Sequence, residues 1–344
     1  MAWPRAGRYR GLVLAPPDDL PEAAVAAGLD RHWGIAASSI SYSAVGWGSH
    51  HWVVRDAAGS RHWITVDDQE ARRLSDREAL ATAFGRLRAA LVAASALREC
   101  GLSFVAAPVP AANGEPVVQL SDRFAVAVYS FIAGHSFGWG EYTSTAHRFS
   151  VLDLIAAVHS APPSARRHAL ADDFAIPSRD QLEAACDEAD RAGDSGPYAD
   201  AAGRLLGQHA PAIGRLLARY DGLVAQAPAE DGRAVLTHGE PHAANTMLTS
   251  DGWMLLDWDT ALVAPPERDL WHLDPGDGTI LDAYAAATGV RPRQELLDMY
   301  RLGWDLADMA LAVRHFRRPH TGDANDDKTW RVLTFLLDRH AGAV

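Results

Sequence analysis

The sequence predicts an α+β protein of two lobes, the first rich in strands and the second mostly helical. Three observations carry that prediction. Runs rich in β-branched and aromatic residues, broken by turn residues, fill positions 29–66 and recur over 104–134. Between them apolar residues fall at three- and four-residue steps, and beyond residue 134 this helical spacing takes over. At 344 residues the chain is also long enough to bury two cores. Residues 1–134 are therefore expected to form one lobe and residues 135–344 the other, with a hinge near residues 129–134.

In order along the chain, "ISYSAVGWGSHHWVVRD" and "SRHWITVDD" read as strand sequence joined by a turn at Gly59. In "REALATAFGRLRAALVAASALRECG", Leu80, Phe84, Leu87, Leu91 and Ala94 line one helical face, and Gly101 is the expected stop. "FVAAPVPAANGEPVVQLSDRFAVAVYSFIAG" predicts further strands. "FSVLDLIAAVHSAPP" then places Phe149, Leu152, Ile155 and His159 on one stripe that two prolines end. A longer helical pattern runs through Pro211, where a bend is expected. Leu296, Tyr300, Trp304, Ala307 and Leu311 mark another helix, and "KTWRVLTFLLDRH" a last one.

Composition excludes several classes. Apolar residues make up 48% and charged residues 22%, which describes a globular chain. No apolar run approaches the roughly 18 residues of a membrane span. The apolar stretch near the N-terminus is short and meets Pro16 and Pro17, so no secretory signal is expected. Cys100 and Cys186 share no metal or redox spacing and read as buried reduced thiols of a cytoplasmic protein. A net charge of −12 argues against a nucleic-acid partner and favours cationic ligands, although solubility alone accounts for such a charge. Neither a membrane nor a nucleic-acid partner is expected.

The chemistry concentrates in "VLTHGEPHAAN", residues 235–245, and "LLDWDT", which follows it. Phosphoryl transfer from a nucleotide needs an acid beside the attacking hydroxyl, oxygen ligands for Mg²⁺, a cover over the phosphates and a cation on them. Glu240 is the candidate acid. Asn245 and Asp257 are hard oxygen donors suited to Mg²⁺. Gly46 and Gly48 in "AVGWGSHHWVV", with Ser49 beside them, lie between two strand-like halves, as a hairpin over phosphates requires. His50 and His51 are adjacent on a strand, so they face opposite ways and do not form a ligand pair.

"HGEPHAAN" followed by "LLDWD" resembles the aminoglycoside phosphotransferase and choline kinase group, which shares the protein-kinase-like fold. The resemblance implies that His238 braces the catalytic loop, that Glu240 occupies the place of the catalytic aspartate, and that Asn245 and Asp257 hold the metal. Asp259 matches the acid after the tryptophan, and "LIAAVH", ending in His159, resembles the group's Leu-Ala-x-Leu-His helix. It implies Mg²⁺ as cofactor, ATP or GTP as co-substrate, and a small acceptor, aminoglycoside-like or otherwise cationic. Antibiotic resistance is among the roles it implies.

This chain departs from the pattern twice. Glutamate replaces the catalytic aspartate, and "WITV" puts Thr65 where the group carries its strand-three lysine. Lys328 is the only lysine in the chain, so Arg55 or Arg61 on the neighbouring hairpin is the expected replacement. Three readings stay open: a kinase for an aminoglycoside-like compound, a relative that binds nucleotide or ligand without turnover, and a kinase for an amino alcohol or sugar. His159 is read as a structural histidine and His242 as loop packing. The acidic stretches 172–174 and 183–194 read as solvated faces or as the rim of a polyamine pocket.

Overall fold

The alanine-rich segment "EAAVAAGLDRHW" forms helix α1 (Glu22–Trp33), which ends at Gly34 in the left-handed region, φ 66°. The strand run that the sequence predicts from residue 29 therefore begins only at β1 (Ala37–Ser43). The structure, a computed structural model, describes residues 15–45, 48–140, 142–188, 194–227 and 232–341. Gly46 lies outside the described residues, as does part of the acidic stretch 183–194.

Strands β2 (Ser49–Asp56) and β3 (Arg61–Asp68) follow, then α2 (Leu80–Glu99), β4 (Val118–Gln119) and β5 (Phe124–Ser130). They form one antiparallel sheet of order β1-β2-β3-β5-β4. Its two faces differ. Trp52, Val54, Ile64, Val66, Val126 and Val128 pack with Val25 and Leu29 of α1. Ala125 and Ala127, on the opposite face of β5, join the core that contains Leu87, Leu91 and Leu97 of α2. Both faces of β5 are therefore buried, which explains its unbroken apolar run.

Residues 104–117 form no strand beyond an isolated bridge between Val105 and Leu255. Pro108, Pro110 and Pro116 remove the donors a ladder needs. Helix α2 stops as expected, with Gly101 at φ 94°. By length and composition α2 passes for a membrane span, contrary to the sequence expectation, yet Leu87, Leu91 and Leu97 belong to this core.

Strand β6 (His135–Ser136), α3 (Thr145–His159), α4 (Arg179–Asp187) and α5 (Ala199–Gln226) come next, α5 running through Pro211 as one helix. Strand β7 (Val235–Thr237), a 3₁₀ turn (Ala243–Asn245), β8 (Thr246–Thr249), β9 (Gly252–Leu255) and β10 (Leu262–Ala264) carry the sequence of interest. Helices α6 (Glu267–Leu273), α7 (Thr279–Thr288), α8 (Gln294–Phe316) and α9 (Ala324–Ala341) complete the chain. Helices α4, α5, α8 and α9 share a separate core around Leu182, Leu217, Met309 and Leu333.

The segment after β5 is tied to the strands that follow the 3₁₀ turn. β6 pairs with β8, and a Cβ on Gly134 would sit 2.8 Å from the Leu248 carbonyl oxygen. Both cysteines are free, but Cys100 is exposed rather than buried, because it caps the end of α2.

Candidate active site

The loop of residues 238–242 is held from below by one buried carboxylate. Strand β7 pairs with β10, which brings Thr237 opposite Leu262 and leaves residues 238–242 to turn over helix α6. Asp269 of α6 accepts the backbone N–H of His238 at 2.8 Å and that of Gly239 at 2.6 Å. It also accepts His159 Nε2 at 3.0 Å, while His159 Nδ1 faces the Tyr284 hydroxyl at 2.9 Å. Burial alone would raise the Asp269 carboxyl, but the His159 hydrogen bond and nearby cationic groups outweigh it and hold the pKa below its usual value. His159 is thus structural, as its sequence reading holds.

Gly239 has φ 99°, and a Cβ there would lie 2.5 Å from the Arg268 guanidinium. Only glycine fits both constraints. Arg268 occupies that space because it bonds Thr237 Oγ1 at 2.9 Å and the Thr260 carbonyl at 2.8 Å.

His238 is fully buried and joins the two halves of the motif. Its Nε2 donates to the Leu256 carbonyl at 2.7 Å and its Nδ1 accepts the Glu240 N–H at 3.1 Å. Burial lowers its pKa, which suits this neutral, one-donor arrangement. Asn245 Nδ2 donates to the Glu240 carbonyl at 2.9 Å, and the Asn245 carbonyl accepts the Leu256 N–H at 2.8 Å. Leu256 is therefore gripped on both sides, and Asp257 follows it at φ 60°, a left-handed conformation that costs about 1 kcal/mol in a non-glycine residue. Trp258 closes the turn, with 1% exposure and its Nε1 on the Leu255 carbonyl at 3.0 Å.

These bonds set the donor chemistry. With its amide nitrogen on the Glu240 carbonyl, Asn245 turns Oδ1, a hard oxygen donor, the other way. Among the described residues no three His, Cys, Asp or Glu side chains converge on a metal position. One amide and one carboxylate fit Mg²⁺, which takes few protein ligands and completes its shell with phosphates and water.

On the sheet side, alternation turns Ser49 and His51 of β2 and Thr65 and Asp67 of β3 towards this centre. Ser49 pairs with Asp67 and His51 with Thr65. The Ser49 hydroxyl donates to Asp67 Oδ1 at 2.7 Å, and Thr65 Oγ1 lies 3.2 Å from His51 Nδ1. Burial pushes His51 down to about 4 against the opposing pull of Asp67 and Asp259. Tyr129 of β5 is raised well above its usual value, first by burial and then by Asp67, Asp257 and Asp259. Gly48, at φ 84°, leads into Ser49.

Arg55 and Arg61 are not at this end. They pair with each other across the β2–β3 turn, six residues along from Ser49 and Asp67, or about 20 Å at the usual rise of a strand. Arg55 donates to the Gly59 carbonyl at 2.9 Å, and Arg61 lies 3.7 Å over the Phe131 ring. The cation beside the aspartates is Arg72, from the segment joining β3 to α2. It donates to Asp67 Oδ1 at 2.8 Å, to Asp259 Oδ2 at 2.6 Å and to the Asp259 carbonyl at 3.0 Å. Arg72, Asp67 and Asp269 escape sequence reasoning. Their partners in the site lie far away along the chain, and the only local signal is charge within "VDDQEARR" and "PPERD".

Two cavities flank the loop. One, of about 220 Å³, is bordered by Arg72, Asp172, Gly239, Asp259, Tyr300 and Trp304. The other, of about 260 Å³, is bordered by Trp139, His242, Trp271, Trp304, Asp305 and Asp308. Trp271 and Trp304 border both. His242 does more than pack the loop: it lines the second cavity with Nε2 3.8 Å from Glu240 Oε2, and its buried Nδ1 has no hydrogen-bond partner among the described residues.

Comparisons with known proteins agree with this fold. The sequence profile of the phosphotransferase enzyme family matches residues 42–312. The chain is 32% identical over 257 residues to Protein StrN of Streptomyces griseus, covering 72% of this chain and 76% of that protein. The fold is that of spectinomycin phosphotransferase APH(9)-Ia, solved with ADP and spectinomycin. That match has a TM-score of 0.69 and 16% identity, covering 93% of this chain and 97% of the other. Amicoumacin kinase hAmiN, solved with AMP-PNP, Ca²⁺ and Ami, matches with a TM-score of 0.59 and 13% identity over 93% and 94% of the two chains. A microcompartment-associated aminopropanol kinase gives 0.58 and 14% over 93% and 98%.

Proposed function

The chain belongs to the phosphotransferase enzyme family, and from that premise we propose that it moves the γ-phosphoryl group of ATP or GTP to a hydroxyl of a small cationic acceptor, aminoglycoside-like or an amino alcohol. One observation carries the reading. Glu240, Asn245 and Asp257 are locked to one another through the Glu240 carbonyl, Leu256 and His238, although nothing in a folding core requires three such polar residues together.

In this reading Glu240 accepts a hydrogen bond from the acceptor hydroxyl, orients it for in-line attack and takes its proton. His238 and Asp269 fix the loop so that this carboxylate keeps its position. Asn245 and Asp257 would hold Mg²⁺, which when bound neutralises phosphate oxygens. The cavity beside His242 receives the acceptor. Its aromatic walls, Trp139 and Trp304 with planes 11° apart, favour a ring face or a cation, and the net charge of −12 draws cations towards the molecule. Structural neighbours named for spectinomycin, amicoumacin and aminopropanol support an acceptor of this kind.

A second reading, nucleotide binding without transfer, draws on Thr65 and Glu240. A panel of aminoglycosides and amino alcohols with Mg²⁺ and either nucleotide separates the two. Glu240→Gln is expected to lower transfer by about 10²-fold or more and to leave nucleotide affinity unchanged. Wild type inactive on every acceptor, with Glu240→Asp switching transfer on, would establish the second reading.

A further inference from the structure

We infer that Arg72 is the cation that meets the nucleotide's phosphates in this site, an inference that rests on the phosphotransferase reading above. The position from which β3 faces the centre carries the uncharged Thr65, and Lys328 lies on α9. Arg55 and Arg61 are about 13 Å from Thr65 and about 20 Å from Asp67 along the hairpin. Arg72 reaches the centre from the following segment, with its side chain only 7% exposed and bonded to Asp67 on the sheet and Asp259 beyond the catalytic strands.

Charge makes the case. Asp67 and Asp259 both bond this one guanidinium, and the charge of Asp257 acts on it as well. A polyphosphate entering beside them adds more negative charge, and two like charges at 4 Å repel by roughly 4 kcal/mol near a protein surface. A cation must sit among them. Arg72 stays charged: burial works against its proton, but Asp259 and Asp67 outweigh burial and raise its pKa. A guanidinium has five N–H donors in a planar fork, so a phosphate oxygen can exchange with one carboxylate oxygen while the other bonds persist. The same residue links the Ser49 end of the glycine hairpin, through Asp67, to the segment that carries Asp257.

The test compares a nucleoside triphosphate with its nucleoside, for ATP and for GTP, by calorimetry on the full chain. Arg72→Gln is expected to weaken triphosphate binding by about tenfold or more and nucleoside binding by less than about twofold. Thr65→Lys placed in that background puts an amine on the same strand face and is expected to restore much of the triphosphate affinity. Arg72→Lys, which keeps the charge but loses the planar fork, covers the case in which Arg72→Gln does not fold, and should weaken triphosphate binding more than nucleoside binding. Equal weakening of nucleoside and triphosphate, or no rescue by Thr65→Lys, would make Arg72 a structural bridge and overturn the inference. If wild type binds the nucleosides and triphosphates of neither base, the phosphotransferase reading falls and this inference with it.

Discussion

Asp269 takes three hydrogen bonds where water does not reach: two backbone N–H groups of the catalytic loop and the imidazole of α3. Bonds to a charged acceptor contribute about 1.5–3 kcal/mol each, and a buried donor left unsatisfied costs a similar amount. Asp269→Asn turns an amide N–H₂ towards at least one of those donors. It is expected to lower the stability measured by urea unfolding by about 3 kcal/mol, and to lower transfer as Glu240 loses its support. An unchanged unfolding midpoint would mean that the loop is held by other contacts. Gly239 is the complementary case, a residue chosen for what it lacks, since the Arg268 guanidinium fills the space of its side chain.

In strand β3, the two-residue period sorts functional from structural positions. Ile64 and Val66 are fully buried against the α1 side, while Thr65 and Asp67 face the site. Neighbouring residues should therefore respond oppositely to one charge. Val66→Lys forces an ammonium into an apolar core and is expected to cost more than about 3 kcal/mol. Thr65→Lys places the same group near Asp67, about 7 Å along the strand, and is expected to stay within about 1 kcal/mol of wild type. Thermal unfolding of the two variants checks the register, and similar losses in both would show that the strand is assigned to the wrong face. This alternation is legible from "WITVDD" alone. Residues 104–117 were not, because β-rich composition says nothing about whether prolines leave enough donors for a ladder.

Several buried and half-buried histidines give the whole molecule a pH dependence of defined sign. Burial is the largest cause lowering His50, His51 and His147, and His51 falls to about 4 from an ordinary 6.5. Between those values the unfolded chain binds a proton at His51 that the folded chain does not, so stability rises with pH across this window and is lost as pH falls from about 6.5 towards 4. At roughly 1.4 kcal/mol per pH unit of difference, His51 alone contributes up to about 3 kcal/mol. Urea midpoints are expected to fall steadily from pH 7 to pH 5, and His51→Gln should flatten that slope. A slope unaffected by His51→Gln would place the titrating groups elsewhere.

The sequence by itself determined what depends on short chain distances. Glu240 and Asn245 are separated by one turn, and Asp257 follows at the end of a tight hairpin, so their spacing carries their geometry wherever the loop is placed. Periodicity likewise marks α2, α3 and α8, because a helical face repeats within a few residues. The cation that bonds Asp67 and Asp259 was not legible in this way. Arg55 and Arg61 are near Thr65 in sequence, yet the extended hairpin carries them about 13 Å from Thr65 and about 20 Å from Asp67. Arg72 meets Asp259 across 187 residues and His159 meets Asp269 across 110. Such pairs exist only because two separately folded faces close over a low-dielectric space in which each charge needs a partner, and no local pattern records which partner that will be.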